Sequence, residues 1–542
     1  MMTEDQLSTL EDNSNSSADL SVRIDALFAP WAKADCPGAV VAVRRDGREI
    51  HRGYYGLAHL PHGIPLSRQS VIRIGSQTKQ FTVLLAMMLE TEGKLSLQDD
   101  VRRHLPWLPE FPRTVTLQHL AANVSGLRDY FEIMALVGQS PLSPTPVALQ
   151  LRMLREHAAV NFPAGDDLSY SNTGFLLLQQ VIEQVSGRSY NELLHDRITG
   201  PLGMRNTRLM KHDDEILPNL ADHHTRGPDG RWRRAFWSGY EANGDGGIVS
   251  TLDDMLIWLT NLNDPSIGAA ELARMAQSGA KVNGRPSPYG LGLYRSTYRG
   301  YRSIGHGGTM AGAKSQGERF LDLGLDILIL ANTDEIAPFL MARRIVDAVL
   351  GLPPGPPHST AAGARFPAAT GLYHDETTDD VFAIAFKNGV PLVGGDEIEE
   401  VEPGVFERSL QRSVGSLRLI PRPDGDIDGD WLGRKRRYRR LDDMAPAVPA
   451  NSAGRYGDPT LALEAEIMLE ADAARLRIRS SFAQLDAVLR PVAPGLLLVQ
   501  PASEAKVPEP EPPTWRWVVR VLPDSILING GRIMGLRLPR LH

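Results

Sequence analysis

The sequence has very little cysteine and no long hydrophobic run. One cysteine, Cys36, stands among 542 residues, so an intramolecular disulfide is excluded. It precedes Pro37-Gly38, and we expect it to fill core space. No apolar stretch reaches the length of a membrane-spanning helix, so we predict no membrane partner.

An excess of positive charge is also lacking. The chain carries 58 basic and 65 acidic residues, a net charge of −7, which disfavours extensive contact with nucleic acid or an anionic membrane. The basic run Arg434–Arg440 lies in a β-rich segment near Asp424, Asp426 and Asp430, which is typical of one exposed strand. We therefore predict no nucleic-acid partner.

The features of a secretory signal are missing from residues 1–20. This stretch is polar and rich in Asn and Ser, with neither a basic start nor an apolar centre. We expect a disordered tail over residues 1–20 and a cytoplasmic protein.

The chain is too long for one hydrophobic core, so we expect two or three domains. Residues 21–350 mix strand-like runs with helical periodicity, and strands at both ends predict an α/β (α+β) core whose sheet includes the first and last strands. Proline and glycine are dense at residues 351–369, which predicts a linker. Beyond it, short alternating runs separated by turns predict antiparallel β structure.

A faint internal repeat divides the C-terminal part. Gly371-Leu-Tyr373 opens one stretch, and Gly454-Arg-Tyr456 opens another of similar length. We therefore predict two small, related antiparallel β-barrel domains, at residues 370–444 and 453–542.

Several local patterns predict individual elements. They comprise a hairpin over residues 37–55, a buried helix over 81–90, a helix over 175–185 closed by Ser186-Gly187, and strands at 290–294, 301–305 and 325–330.

A nucleophile and a base stand in Ser76-Gln-Thr-Lys79. If a helix starts at Ser76, Lys79 lies one turn along on the same face, where its amine can reach the hydroxyl. Serine needs an adjacent base to attack at neutral pH, and lysine can serve if burial or positive charge lowers its pKa. The bland alternative is a helix-capping serine beside a solvated lysine.

A second short word is Tyr170-Ser171-Asn172. On an extended segment Tyr170 and Asn172 point to the same side, where a phenolate and an amide can work beside a lysine. Lys79 and Tyr170 would then titrate as a coupled pair. The bland alternative is a turn in which Asn172 or Thr173 caps a helix beginning at Gly174.

The third word, His306-Gly307-Gly308, follows a predicted strand. Glycine allows a substrate backbone to come close, and the N–H of Thr309 can complete an oxyanion hole with that of Ser76. The bland alternative is a turn histidine with no partner. Each motif is weak evidence alone. Together, in this order, the three motifs supply a nucleophile, two candidate bases and a hydrogen-bonding strand, which are the groups needed for acyl transfer through a serine.

On the basis of these three motifs, the chain from about residue 26 to 350 resembles the serine β-lactamase and penicillin-binding-protein group. Class C β-lactamases, D-alanyl-D-alanine carboxypeptidases and related esterases belong to this group. The supporting stretches are residues 74–82 (IGSQTKQFT), 93–100 (GKLSLQDD), 125–130 (SGLRDY), 162–165 (FPAG) and 246–255 (GGIVSTLDDM).

Within the group the chain is most similar to the D-aminopeptidases, which join the catalytic domain to two C-terminal β-barrels. The resemblance implies that Ser76 is the nucleophile, Lys79 the proton-transfer partner and Tyr170 the second base or acid. It places Asn172 and His306 in the lining of the site.

The class of substrate can be narrowed by asking which charged terminus of a peptide the site could hold. A carboxypeptidase must hold a free carboxylate, and such relatives usually carry lysine where His306 stands; a mostly neutral histidine attracts a carboxylate less. An aminopeptidase must instead hold an ammonium, for which an acid is the natural partner. We expect release of N-terminal D-residues from small peptides, amides or esters.

In the D-aminopeptidases a loop of the last barrel enters the active site and presents an aspartate to that ammonium. The corresponding loop here is residues 500–514, which contains no aspartate. Glu504, Glu509 or Glu511 can take its place, and we favour Glu504. The alternative for each is a solvated acidic loop.

Two other functions stay open on the sequence: a broad serine esterase or weak β-lactamase, and a non-catalytic penicillin- or peptide-binding protein. We expect no cofactor and no metal, because adjacent His223 and His224 point in different directions and lack a third ligand at helical spacing. Gly244-Asp-Gly-Gly247 lacks phosphate-loop spacing and is expected to be a close backbone turn near the site. The barrels offer a surface for a homodimer.

Overall fold

The computed structural model describes residues 17–541 except 141–142, 157–158, 228, 236–238, 278, 283, 353–365, 388–389, 403, 409–416, 432–433, 442–445, 471–472 and 502–516. Most of the predicted tail and linker therefore lies outside the described residues, and the domain boundaries stay predictions. None of the helices in the described part is both long and apolar enough to traverse a bilayer.

The helices belong to the first part of the chain. They are α1 (Ser17–Phe28), α2 (Thr78–Thr91), α3 (Val101–His104), α4 (Leu117–Ala121), α5 (Tyr130–Leu136), α6 (Val147–Glu156), α7 (Asn172–Ser186), α8 (Tyr190–Leu194), α9 (Gly200–Leu202), α10 (Leu252–Asn263), α11 (Ala269–Met275) and α12 (Pro338–Val349).

The strands of the same part form one main sheet and several small ones. They are β1 (Ala39–Arg45), β2 (Arg48–Tyr55), β3 (Leu57–His59), β4 (Ile64–Pro65), β5 (Ile72–Arg73), β6 (Arg208–Leu209), β7 (His224–Arg226), β8 (Trp232–Arg234), β9 (Ile248–Ser250), β10 (Lys281–Val282), β11 (Arg285–Pro286), β12 (Tyr294–Tyr298), β13 (Tyr301–Met310), β14 (Ala313–Phe320) and β15 (Leu325–Ala331).

The main sheet is antiparallel, in the order β12-β13-β14-β15-β1-β2. Strand β1 pairs with both the hairpin partner β2 and the late strand β15, so Ala39 lies opposite both Tyr55 and Ala331. The expected α/β core, whose sheet joins the first and last strands, is confirmed.

Side-chain alternation along β1 builds a layer on each face of this sheet. Val40 and Ala42 pack into the larger core with α2 and α7, whereas Val41 and Val43 pack into a second core with α1 and α12. Successive residues of a strand point to opposite faces, so one short apolar run serves both layers.

The hairpin and both predicted helices are present. Asp46 and Gly47, with φ of 49° and 75°, make the tight turn between β1 and β2, and Gly187 (φ 66°) ends α7 in the left-handed conformation. The strand predicted at residues 290–294 is wrong for all but its last residue. Gly292 has a φ of 73°, which is incompatible with a strand, and β12 begins at Tyr294.

The C-terminal part is antiparallel β structure in two eight-stranded sheets. The first consists of β16 (Gly371–Asp375), β17 (Asp380–Lys387), β18 (Val390–Val393), β19 (Asp396–Glu402), β20 (Val405–Arg408), β21 (Leu417–Pro421), β22 (Ile427–Trp431) and β23 (Arg434–Arg440). The second consists of β24 (Gly454–Asp458), β25 (Leu463–Leu469), β26 (Ala474–Arg479), β27 (Gln484–Ala493), β28 (Leu496–Pro501), β29 (Trp517–Val521), β30 (Ser525–Gly530) and β31 (Ile533–Pro539).

The two sheets differ in closure. Strands β16–β23 form a closed barrel, whereas β24 is joined to the end of the second sheet through an isolated bridge between Tyr456 and Arg540, the residue after β31. The prediction of two small β domains is confirmed, and the second is an incompletely closed barrel.

The internal repeat has a structural counterpart. Tyr373 donates its hydroxyl to the carbonyl of Ala369, and Tyr456 donates its own to the carbonyl of Ser452, in each case four residues back. Both tyrosines are fully buried near the start of the first strand of their sheet. The repeated tyrosine thus ties the incoming chain to each sheet.

The basic run Arg434–Arg440 is strand β23, as expected from its pattern. Lys435 pairs with Asp430, and Arg437 pairs with Asp424 and Asp426. Its charge is therefore largely balanced within the barrel.

Candidate active site

Ser76 lies in a short 3₁₀ turn (Gly75–Gln77) that leads directly into α2. Gly75 has a φ of 55°, and a Cβ on it would lie 2.8 Å from the backbone N of Thr309. Glycine is required here because Gly75 has a left-handed φ and its backbone touches strand β13. The Ser76 turn and the strand carrying His306 are thereby held against each other.

Lys79 occupies the first turn of α2 and is fully buried. Its Nζ donates to Ser76 Oγ at 3.1 Å, to Asn172 Oδ1 at 2.7 Å and to the carbonyl of Asp245 at 2.5 Å. The non-catalytic alternative is a helix-capping serine beside a solvated lysine. It does not fit, because no side chain caps α2 at its start and Lys79 is buried.

Burial lowers the pKa of Lys79 to about 7; the charges of Asp245 and Asp129 oppose this change, and the charge of Arg532 adds to it. A substantial fraction of the amine is therefore neutral near pH 7 and able to accept the serine proton.

Tyr170 is buried on the segment that precedes α7, and it lines the cavity together with Ser76. Burial first, and then Tyr294, raises the pKa of Tyr170 well above its usual value, against the opposing effects of Ser76 and Arg532. Tyr170 therefore rests as a phenol. This favours Lys79 as the resting base and Tyr170 as a relay for protons.

Asn172 is held from two sides. Its Oδ1 accepts from Lys79, while its backbone N and its Nδ2 both donate to Asp129 Oδ2, at 2.6 and 2.9 Å. Asp129 also caps α5 by accepting from the N–H of Phe131. The Asn172 side chain therefore serves Lys79 and caps no helix.

His306 lies on β13 and is 2% exposed. Its Nε2 is 3.0 Å from the hydroxyl of Tyr289, and its Nδ1 is 2.5 Å from the carbonyl of Gly307. Burial, together with the charge of Lys79, lowers the pKa of His306 to about 3. His306 is therefore a neutral histidine with hydrogen-bond partners on a strand, and the alternative of a turn histidine without a partner does not fit.

Gly308 is where β13 packs against the Ser76 turn. A Cβ there would lie 1.9 Å from the carbonyl O of Ile74 and 2.6 Å from Ser315 Oγ. Ser315 Oγ itself donates to the same Ile74 carbonyl. Glycine is thus required at position 308 by close packing inside the protein, against Ile74 and Ser315. The oxyanion role of the Thr309 N–H stays a prediction.

We expect Gly308→Ala to lower kcat/KM by roughly 100-fold, because the added methyl must push β13 away from Ser76 and catalysis is sensitive to shifts of about 1 Å. Overpacking of this kind should also cost about 1–3 kcal/mol of unfolding free energy. Steady-state kinetics and thermal unfolding measure both effects.

Gly246→Ala is the matched control, since Gly246 lines the same cavity but its added Cβ would meet its nearest neighbour at 3.8 Å. Equal losses in the two variants would contradict the packing argument.

These groups open onto a cavity of about 1250 Å³. Ser76, Tyr170, Asn172 and His306 share its lining with Gly308 and Thr309. Four acids among the described residues also line it, namely Glu132, Asp245, Glu318 and Glu407. Glu504, Glu509 and Glu511 lie outside the described residues, so the role predicted for Glu504 stays a prediction.

Three residues of the site have no role predicted from the sequence: Asp129, Asp245 and Arg532. Asp129 stands in the stretch at residues 125–130 that carried the resemblance, and Asp245 stands in the turn predicted to lie near the site. Asp245 does line the cavity, and burial raises its pKa to about 6. Arg532 comes from the last sheet, and no local pattern marks it.

Comparison with known proteins identifies the family of this fold. The family model described as Beta-lactamase matches residues 24–351. A D-aminopeptidase of Cereibacter sphaeroides (strain KD131 / KCTC 12085) is 27% identical, with 93% of each chain covered. A D-aminopeptidase of Gluconobacter oxydans (strain 621H) is 29% identical, with 81% of this chain and 86% of the relative covered.

Among solved structures, an octameric penicillin-binding protein homologue from Pyrococcus abyssi matches with a TM-score of 0.57 and 23% identity, covering 77% of this chain and 99% of its own. The D-amino acid amidase of Ochrobactrum anthropi SV3, complexed with D-phenylalanine, matches with a TM-score of 0.50 and 22% identity, covering 61% of this chain and 99% of its own. These likenesses show the fold. Because the family model spans well over half of the chain, the protein belongs to the Beta-lactamase family.

Proposed function

We propose that this protein is a D-stereospecific serine aminopeptidase that releases N-terminal D-amino acids from small peptides, amides or esters. The observation that carries the proposal is the contact of buried Lys79 with Ser76, at 3.1 Å, inside a large cavity. The D-aminopeptidase relatives, similar over nearly the whole chain, support the choice of substrate.

In the proposed reaction, Ser76 Oγ bonds to the substrate carbonyl carbon while its proton passes to Lys79, directly or through the Tyr170 hydroxyl. The N–H groups of Ser76 and Thr309 stabilise the developing oxyanion. The C–N bond then breaks as the leaving amine takes a proton from the Lys79–Tyr170 pair. Water hydrolyses the acyl-enzyme ester, which frees the D-amino acid and restores Ser76.

The remaining residues of the site orient the substrate in this proposal. Asn172, whose Oδ1 accepts from Lys79 and whose Nδ2 donates to Asp129, lines the cavity beside Ser76. His306 stays neutral and so offers little attraction to a carboxylate, which agrees with a substrate recognised by its free amine. The homodimer expected from the sequence stays a prediction.

The direct test compares hydrolysis of D-alanine p-nitroanilide, its L-enantiomer and its N-acetylated form, with Ser76→Ala as control. We expect cleavage of the free-amine D-form alone, and its loss in the variant. Turnover of simple esters without D-selectivity would instead assign the serine to a broad esterase.

Recognition of the ammonium by Glu504 predicts a specific effect of Glu504→Gln. Because a charge-assisted hydrogen bond is worth about 1.5–3 kcal/mol, KM for D-alanine p-nitroanilide should rise by roughly 10- to 100-fold. The variants Glu509→Gln and Glu511→Gln are matched controls in the same stretch of sequence and should behave like the wild type. An equal change in all three, or none in Glu504→Gln, would rule out Glu504 as the partner of the amine.

A further inference from the structure

A turn of the last sheet is anchored on the first part of the chain. Between β30 and β31, Gly531 has a φ of 58°, and a Cβ on it would lie 2.8 Å from the Glu132 carboxylate. Asn161 donates its Nδ2 to the carbonyl of Arg532 and accepts from the N–H of Met534, both at 2.9 Å. These two bonds fix the backbone that immediately follows the Arg532 side chain.

The Arg532 side chain reaches the catalytic groups. Its Nη1 donates to Asp129 Oδ2 at 3.0 Å, and its guanidinium lies 4.8 Å from the centre of the Tyr170 ring. The side chain also lines the cavity beside Ser76. A residue more than 350 positions along the chain from Tyr170 thus touches the same ring.

Arg532 is also the start of a chain of hydrogen bonds that ends at Lys79. Arg532 donates to Asp129 Oδ2, the oxygen that also accepts from the backbone N–H and from the side-chain Nδ2 of Asn172. Asn172 Oδ1 in turn accepts from Lys79. Loss of the guanidinium would leave the Asp129 charge buried without its ion pair, a costly state.

The charged and titratable groups that act on the two proton-transfer side chains can be named. They are Asp245, Asp129, Arg532 and His306 around Lys79, and Tyr289, Tyr294, His306, Asp245, Lys79 and Arg532 around Tyr170. His306 is held neutral by burial. Apart from Lys79, Arg532 is the cation within this set of described residues.

Resting on the Ser76–Lys79–Tyr170 machinery proposed above, we propose that Arg532 is a positioning residue through which the last β sheet completes the active site. Its guanidinium supplies a permanent positive charge beside Tyr170 and holds Asp129 in place for Asn172 and Lys79.

The sign of the electrostatic effect follows from the contacts. The charge of Arg532 lowers the pKa of Lys79 and the pKa of Tyr170. Without it, and with the Asp129 charge uncovered, the pKa of Lys79 must rise. Since the neutral amine is the base, the acid limb of the pH profile must move to higher pH.

The test follows the rate of labelling of Ser76 by a fluorophosphonate between pH 5 and 10, in the full chain carrying Arg532→Gln, Arg532→Lys or Arg537→Gln. Arg537 is a matched control, because it lies on the adjoining strand β31 and pairs with Asp524 at the surface. We expect Arg532→Gln to lose roughly tenfold at pH 7, with its acid limb about one pH unit higher and most of the rate recovered at pH 9. Arg532→Lys, which keeps the charge, should retain a limb near that of the wild type.

A loss in Arg532→Gln of the same factor at every pH, shared by Arg532→Lys, would mean that Arg532 only supports the fold and would overturn the proposal. An unchanged profile would overturn it as well. Labelling does not depend on the substrate, so a lack of D-selective turnover would remove the proposed function while leaving this test intact. If the wild type were not labelled at all, the machinery itself would be wrong and the proposal would fall with it.

Discussion

Ser76→Ala should lower kcat/KM on D-alanine p-nitroanilide by at least about 10⁴-fold, because removal of a catalytic nucleophile leaves only binding and oxyanion stabilisation. The structure gives the reason for a loss without unfolding. Lys79 keeps two of its three acceptors, Asn172 Oδ1 and the Asp245 carbonyl, when the hydroxyl is removed. We therefore expect the unfolding free energy to change by less than about 1 kcal/mol.

A neighbouring serine supplies the control. Ser171 is buried beside Tyr170, and its hydroxyl has no hydrogen-bond partner among the residues that the structure describes. Ser171→Ala removes the same kind of atom from the segment that carries Tyr170 and should keep wild-type kinetics. Retention of activity in Ser76→Ala, measured on protein shown to be folded by circular dichroism, would end the serine-hydrolase assignment.

The parts of the site that sequence could predict are those encoded locally. Ser76 and Lys79 lie three residues apart at a helix start, so helix periodicity alone brings their side chains together. Tyr170 and Asn172 are two positions apart, and on an extended segment such side chains point to the same side. The β1–β2 hairpin was predictable because its turn residues, Asp46 and Gly47, tolerate the left-handed conformation.

The rest depends on contacts between distant segments. Asp129 binds Asn172, 43 residues along the chain, and Arg532, 403 residues along the chain. No local sequence pattern predicts either contact. The contribution of the last sheet was expected from residues 500–514, whereas the described contact comes from the turn at Arg532. A resemblance could suggest that this sheet enters the site, but which of its turns reaches Tyr170 depends on three-dimensional packing.

Lys79 offers the second large effect, and two substitutions separate its charge from its basicity. Lys79→Ala removes both, whereas Lys79→Arg keeps a cation whose guanidinium does not deprotonate in proteins. Because general-base catalysis contributes about 10²–10⁴-fold, both variants should lose roughly 10³-fold in kcat/KM. An active Lys79→Arg enzyme would show that the position needs only a positive charge.

The pH profile adds an independent check on the wild type. An exposed lysine has a pKa of 10.5 and would leave almost no neutral amine at pH 7, whereas burial lowers the pKa of Lys79 to about 7. Activity should therefore rise between pH 6 and 8 as the amine loses its proton, and the rise should be absent from both Lys79 variants. Lys94, exposed just past the other end of α2 and paired with Glu92, is the control whose substitution by alanine should leave the profile unchanged. A wild-type profile that stays flat from pH 5 to 9 would mean that the neutral form of Lys79 is not the base, and proton transfer would then have to be assigned to Tyr170.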